Sequence, residues 1–482
     1  MLREMKKYLF LIAGITCSYM LFRICDYDYA PEIVKGIMAG IIGGCVILLL
    51  WRWKSGKLHI QDVCSAIIVA GIVMRVGYML YTGCEVRAHD LFDFSTDSYG
   101  HAAYILTLIQ KGKLPETNYV QFYQQPFYYI LGAGISKLIN SILRCKEAYY
   151  LVDAAKLISC FAACSILFVM EKFCDICCLK KKGRVAALLL VAFTPAFYLC
   201  GARVNCDALA SLLILMEVVW TLQWNRCPSW RNTVLLAVIY GCGVMTKISC
   251  GIVAIFTVLV FIYHLIYRYH GKERWKLTGK YGVFGLISLP LGLWYSIRNY
   301  ILFHQPLMYV LEIPENTGLY RGNYSLFSRF FAIDLSNLLK TPYANPWSDY
   351  NAPVYYLKSS LFGEFTYQIW AWIPIALLFA GIILSGLVVY AHIWNVRYNR
   401  CDRTMMCIQG LWALYYTSML WFYFRYPFGC SMDYRYMLFL SVASACLLGG
   451  FYEKSQNEQI AGYISGVLVF FATMSCAMYI WI

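Results

Sequence analysis

Apolar runs long enough to cross a bilayer recur along this chain from end to end, and they constrain its fold more than any other feature. A hydrocarbon core takes roughly 17 to 25 helical residues to cross. Such runs fall near 7–24, 34–51, 63–82, 151–171, 185–201, 207–223, 233–246, 250–267, 281–297, 367–391, 406–424, 436–452 and 461–481. In lipid, backbone groups must be satisfied within each spanning segment, so these thirteen runs predict an all-α polytopic membrane protein. The composition agrees: with 60% of 482 residues apolar and 14% charged, a soluble domain could not bury its apolar surface.

The formal charge of +15 first suggests nucleic acid, but the cations sit in short links between spans. The N-terminus, "RWKSGK" (52–57), "KKKGR" (180–184), "NRCPSWR" (225–231), "RYHGKERWKLTGK" (268–280) and "RYNRCDR" (397–403) are all basic. Lys and Arg keep short loops on the cytoplasmic side, so orientation explains the charge and no nucleic-acid partner is expected. Thirteen spans alternate without conflict if 126–143 lies along the outer membrane surface instead of crossing. The large outer loops are then 83–150 and 298–366, with smaller outer segments at 202–207, 246–249 and 425–435. Arg3, Lys6 and Lys7 precede the first span, but no small-residue cleavage site follows, so that span is expected to stay as an anchor.

Most of the twenty-one cysteines lie inside apolar runs, where Cys behaves as a small hydrophobe and not as part of a disulfide framework. Cys174, Cys177 and Cys178 have a metal-like spacing, but no second ligand pair follows, so no metal site is read there.

The first outer loop carries "HDLFDFSTDSYGHAAYI" (89–105), with three aspartates and two histidines. Ser95 or Thr96 is placed to cap a helix starting around Asp97, which would align Asp97, His101 and Tyr104 or Leu108 on one face. Gly112 and Pro115 end that helix, and "YVQFYQQPFYYIL" leads through Gln124 and Gln125 into the interfacial segment. Capping and solvation alone would account for these residues. The other outer segments add Arg203, Asn205 and Asp207 at one span junction, Lys247 in a tight turn, Arg298 and Asn299 at a span end, and Asp433 and Arg435 at another. Taken singly, each reads as an interfacial anchor. Together they put four cationic positions on the face that is normally depleted of them. Carboxylates beside clustered cations suit a reaction in which a lipid-linked phosphate departs while an acceptor hydroxyl loses its proton. That is sugar transfer from a polyprenyl-phosphate donor.

"RAHDLFDF", "GHAAYILTLIQKGKLP", "QFYQQPFYYIL", "RVNCDALA", "MTKISCGI", "LWYSIRNYILFHQPL" and "MDYRYMLFL" resemble, in that order, segments of the GT-C membrane glycosyltransferases. The likeness is to bacterial relatives of the dolichyl-phosphate-mannose protein mannosyltransferases (glycosyltransferase family 39) and of the aminoarabinose transferase. It runs from about residue 63 onward, leaving 1–62 as an added N-terminal hairpin beside a 63–482 transferase module. The resemblance implies a general base in the first outer loop. Asp90, paired with His89, fits one subgroup's pattern and is preferred; Asp97 fits the Asp of an Asp-Glu pair whose Glu is replaced here by Ser98. The family's double proline is reduced to Gln125-Pro126.

The expected function is thus an inverting hexosyl- or pentosyltransferase in a bacterial cell membrane, with its site on the extracytoplasmic face. Asp90 or Asp97 would act as base, with His101 positioning groups nearby. His89, Tyr104, Gln124, Gln125, Arg203, Asn205, Asp207, Lys247, Arg298, Asn299, Asp433 and Arg435 would bind the polyprenyl-phosphate-linked donor or a glycan, lipid or protein acceptor. No cofactor is assigned, and three aspartates in one loop are compatible with a divalent cation. A polytopic transporter is the rival from another class, since polar residues near span ends also line pathways. Against it, no internal repeat is evident, and few charges lie mid-span apart from Arg75 and Lys156. A polymerase or ligase of lipid-linked glycans would share the donor electrostatics.

Overall fold

The computed structural model describes residues 2–25, 28–88, 91, 100–144 and 148–482. These residues are mostly helical, and their only β-type pairing is an isolated bridge between Tyr320 and Phe428. Among them nine helices are long and apolar enough to cross a membrane: Met5–Ile24, Ala30–Lys54, Ile60–Tyr81, Tyr149–Ile176, Asp207–Arg226, Ile248–Arg268, Trp372–Tyr398, Gly429–Lys454 and Glu458–Trp481. Apolar runs turn helical here because a helix satisfies its own backbone, and local signals set the ends. Pro31 opens Ala30–Lys54 in the first turn. Asp402 and Asn457 turn their side-chain oxygens onto the first amides of Arg403–Arg425 and Glu458–Trp481.

The other four expected runs are helical as well, with departures that have local causes. Residues 233–246 lie in Trp230–Thr246, a helix of 17 residues. Residues 281–297 are the middle of the 33-residue Gly271–Phe303 helix, and 406–424 lie in Arg403–Arg425. The run 185–201 is broken: Lys181–Phe193 ends before Pro195, whose ring cannot continue the hydrogen-bond ladder, and Ala196–Gly201 follows.

That break explains one of the mid-span charges. Arg75, 0% exposed, donates to the carbonyls of Val191 and Ala192, each at 2.8 Å, and to Gly71 O of its own helix. The last carbonyls of a helix have no intrahelical partner, and a guanidinium with five N–H groups supplies one. The other, Lys156, is paired with Asp153 at 2.8 Å, and both side chains are 2% exposed. The Asp153 carboxylate also accepts from Tyr19 Oη (2.8 Å) and the Cys84 amide (2.9 Å). Glu217 is a further titratable side chain mid-span, which the expectation of Arg75 and Lys156 overlooks.

By packing, the chain forms two compact units. The first comprises 1–24, 83–169 and 201–311; the second comprises 25–82, 170–200 and 312–482. In the first unit, Asp207–Arg226 packs on Trp230–Thr246, which packs on Gly271–Phe303. In the second, Lys181–Phe193 packs on Leu438–Lys454 so closely that a Cβ on Gly183 would lie 2.5 Å from Gly449 O. Glycine at this contact lets the two backbones touch.

Candidate functional site

Within the first unit, the short His101–Gln110 helix lies against Phe127–Leu143. It begins at His101 rather than around Asp97, because Gly100 before it is extended (φ −73°, ψ −175°). His89, Asp90 and Asp97 lie outside the described residues, as do the caps expected at Ser95 or Thr96.

His101 and Tyr104 project from the first turn of that helix into the core, 1% and 0% exposed. Tyr104 stacks on Tyr129, with ring centroids 4.0 Å apart and planes 8° from parallel. His101 Nδ1 lies 2.7 Å from Tyr129 Oη, and that hydroxyl donates to Gln124 Oε1 at 3.0 Å. A hydroxyl has one proton to give, so Tyr129 accepts from Nδ1–H of His101. Burial holds the Tyr104 and Tyr129 phenols well above the usual tyrosine range, so they act here as neutral hydrogen-bonding groups.

The end of Gly271–Phe303 receives this loop. Tyr104 Oη donates to Tyr295 Oη (2.9 Å), and Tyr295 donates to Phe122 O (2.9 Å). Gln125 Nε2 donates to Ser296 Oγ at 2.8 Å. Arg298 donates to Pro115 O (2.8 Å) and to Asn299 Oδ1 (2.9 Å). Part of its guanidinium therefore holds the loop in place.

A second group gathers where Asp207–Arg226 begins. Asn205 Oδ1 accepts from the Asp207 amide at 2.8 Å, which positions Asp207 in the first turn, where the helix dipole favours a negative charge. The Asp207 carboxylate forms an ion pair with Lys247, forty residues away in sequence. Lys247 is extended (φ −156°, ψ 130°) between Trp230–Thr246 and the 3-10 turn Ile248–Gly251. Its side chain is 24% exposed, whereas Asp207 is 4% exposed. Arg203, 6% exposed, precedes this group. Cys206 Sγ donates to Gln124 Oε1 at 3.4 Å and so joins the two groups.

No family model matches this sequence, and no curated protein does either. Local geometry therefore carries the interpretation of the site. The first unit brings together His101, Tyr104, Gln124 and Gln125 with Asn299 and Arg298, and connects them through Cys206 to Asn205, Asp207 and Lys247. Asp433 and Arg435 belong to the second unit, where they pair with each other. Arg435 Nε lies 3.3 Å from Asp433 Oδ2, and the Arg435 amide donates to Asp433 Oδ1 at 3.1 Å. Sequence reasoning did not single out Tyr129, Tyr295, Ser296 or Cys206. Tyr129 carries a signal, an aromatic pair at the start of an apolar helix, whereas Cys206 carries none. Among the described residues no three His, Cys, Asp or Glu side chains gather as a metal site. The three aspartates compatible with a cation lie outside those residues.

Proposed function

We propose that this chain is an inverting integral-membrane glycosyltransferase of GT-C type, moving a sugar from a polyprenyl-phosphate donor to an extracytoplasmic glycan, lipid or protein acceptor. In this reading thirteen helices span a bacterial cell membrane, 83–150 and 298–366 are outer loops, and the 1–62 hairpin is added to a 63–482 transferase module. The observation that carries it is the single hydrogen-bonded assembly joining His101, Tyr104 and the Gln124–Gln125 segment to the Asp207–Lys247 pair. The partly exposed Gln124 amide suits a sugar hydroxyl, and the adjoining lysine suits a phosphate.

The acceptor hydroxyl gives its proton to Asp90 or Asp97, and its oxygen attacks the anomeric carbon from the face opposite the phosphate. The bond from that carbon to the phosphate oxygen breaks, inverting the anomeric centre. The departing phosphate gains charge, which a fixed ammonium in a poorly hydrated site stabilises more than it would in water. Asp207 fixes where the Lys247 ammonium sits. Arg203 and Arg298 complete the first unit's set of donor- and acceptor-binding groups in this reading.

Transfer from a labelled polyprenyl-phosphate sugar in detergent, set against flux in sealed vesicles, tests it directly. Asp90→Asn or Asp97→Asn should lower transfer by about 10²- to 10⁴-fold at the position that serves as base, with the fold retained. Flux without transfer, or near-normal turnover in both variants, would remove the reading or its base.

A further inference from the structure

Glu217 stands at the middle of Asp207–Arg226, ten residues and thus about 15 Å along the helix from Asp207. It is 0% exposed, and both carboxyl oxygens are buried without a hydrogen-bond partner. Its Oε1 lies against Gly243 of Trp230–Thr246, where a Cβ would come within 2.2 Å of it. Glycine at this place leaves room for the acid where it lies. The titratable groups facing it are Tyr240, on that same neighbouring helix, and Cys250, in the 3-10 turn below it. Neither supplies a positive charge. Tyr240 Oη is 2.5 Å from Thr257 Oγ1, itself 2.7 Å from Thr221 Oγ1, so these hydroxyls satisfy one another and not the acid. Lys247, in the same turn as Cys250, is paired with Asp207.

An ionised carboxylate sealed among apolar side chains without a cation or donor is far costlier than the neutral acid. A plain apolar side chain would fill the space at less cost still, so packing does not account for an acid here. We infer that Glu217 is a proton-binding site inside the membrane part of the first unit, holding one proton in this conformation. It gives the proton up only when the bundle at Gly243 opens. Release converts the acid to a carboxylate and passes the proton to water admitted by that opening. Gly243 O also accepts the Lys247 amide at 2.9 Å, so an opening at Gly243 acts directly on the turn that carries Lys247. The site stands independently of the transferase reading.

Infrared difference spectroscopy of the full chain in lipid nanodiscs, wild type minus Glu217→Gln at neutral pH, tests this. The expected result is a carbonyl stretch of a protonated carboxylic acid that is lost in the variant and shifts to lower frequency in D2O. A pair of carboxylate bands in its place would overturn the inference. Where the variant does not fold, the wild-type protein is treated with dicyclohexylcarbodiimide. The acid proton passes to a carbodiimide nitrogen, the carboxyl oxygen adds to its central carbon, and acyl migration leaves a stable N-acylurea with no leaving group. Peptide mapping should find that adduct on Glu217. A Glu217 peptide unmodified by this hydrophobic reagent would equally overturn the inference.

Discussion

Asp153–Lys156 and Asp207–Lys247 are two aspartate–lysine pairs within one compact unit, and they differ in how completely they are enclosed. The first links residues three apart, with both side chains 2% exposed, and its carboxylate also takes the Tyr19 hydroxyl and the Cys84 amide. The second links a helix start to a turn forty residues on, with its lysine 24% exposed and Gln124 one contact away through Cys206. The chemistry is the same and the consequence is different. A pair sealed on all sides ties chain segments together and has no room for a ligand. A pair with one partner partly open can hold its charge where a ligand arrives, at little cost to the fold. Burial of a pair is in itself weak evidence of net stability, but removing one partner from a sealed pair leaves an uncompensated charge.

The largest expected effect is therefore on folding. Asp153→Ala removes the buried carboxylate shared by the Lys156 ammonium, the Tyr19 hydroxyl and the Cys84 amide, and should cost about 3–5 kcal/mol. Thermal unfolding in detergent measures it, and the folded fraction should keep its transfer activity per molecule. A variant with wild-type thermal stability would erase the distinction between the two pairs.

The next effect falls on turnover. Lys247→Met keeps the apolar stem and removes the charge, and should cost roughly 1.5 to 3 kcal/mol in donor affinity, turnover or both if one charge-assisted hydrogen bond to phosphate is lost. Thermal stability should change less than in Asp153→Ala, because Lys247 is partly hydrated already. Unchanged kinetics in a correctly inserted Lys247→Met protein would make this lysine an interfacial anchor and move the phosphate site towards Arg203 and Arg298.

The two pairs also show what can be read from sequence. Helix positions were legible because the length and polarity of an apolar run decide them, and the Arg403–Arg425 and Glu458–Trp481 helices begin and end within three residues of the expected runs. Asp207 and Lys247 stood out as polar residues at span ends, but their pairing did not, since it depends on how two helices forty residues apart pack. Lys156 was visible as a charge inside a span. Its partner Asp153 was overlooked although an i, i+3 spacing of opposite charges is a local signal. The start of His101–Gln110 was misread because Ser, Thr and Asp before it look like caps, whereas Gly100 sets the boundary by staying extended. Arg75 could not have been explained without knowing that Lys181–Phe193 breaks beside it.

A third aspartate, in the second unit, extends the comparison to its weak end. Asp334 caps the Leu335–Lys340 helix, accepting from the Asn337 amide (3.0 Å), Ser336 Oγ (2.8 Å) and Tyr350 Oη (2.9 Å). The Asn337 amide first, and then the two hydroxyls, hold its carboxyl below the usual carboxylate range. A carboxyl with a depressed folded-state value stabilises the fold fully above its unfolded value of about 3.9, and loses that contribution as the pH falls through the folded value. Asp334→Asn keeps an acceptor for the cap and cannot titrate. Loss of a cap costs typically about 1 kcal/mol, and because Asn is itself a good cap, the difference here should be smaller. Amide hydrogen exchange in 335–340 should then be slower in wild type than in the variant near neutral pH, with the gap closing under acid, below about pH 4. A gap that stayed constant with pH would mean that the charge contributes nothing and the oxygen alone makes the cap. The scale would then run from sealed pair to open pair to uncharged acceptor, with ionisation mattering only in the first two.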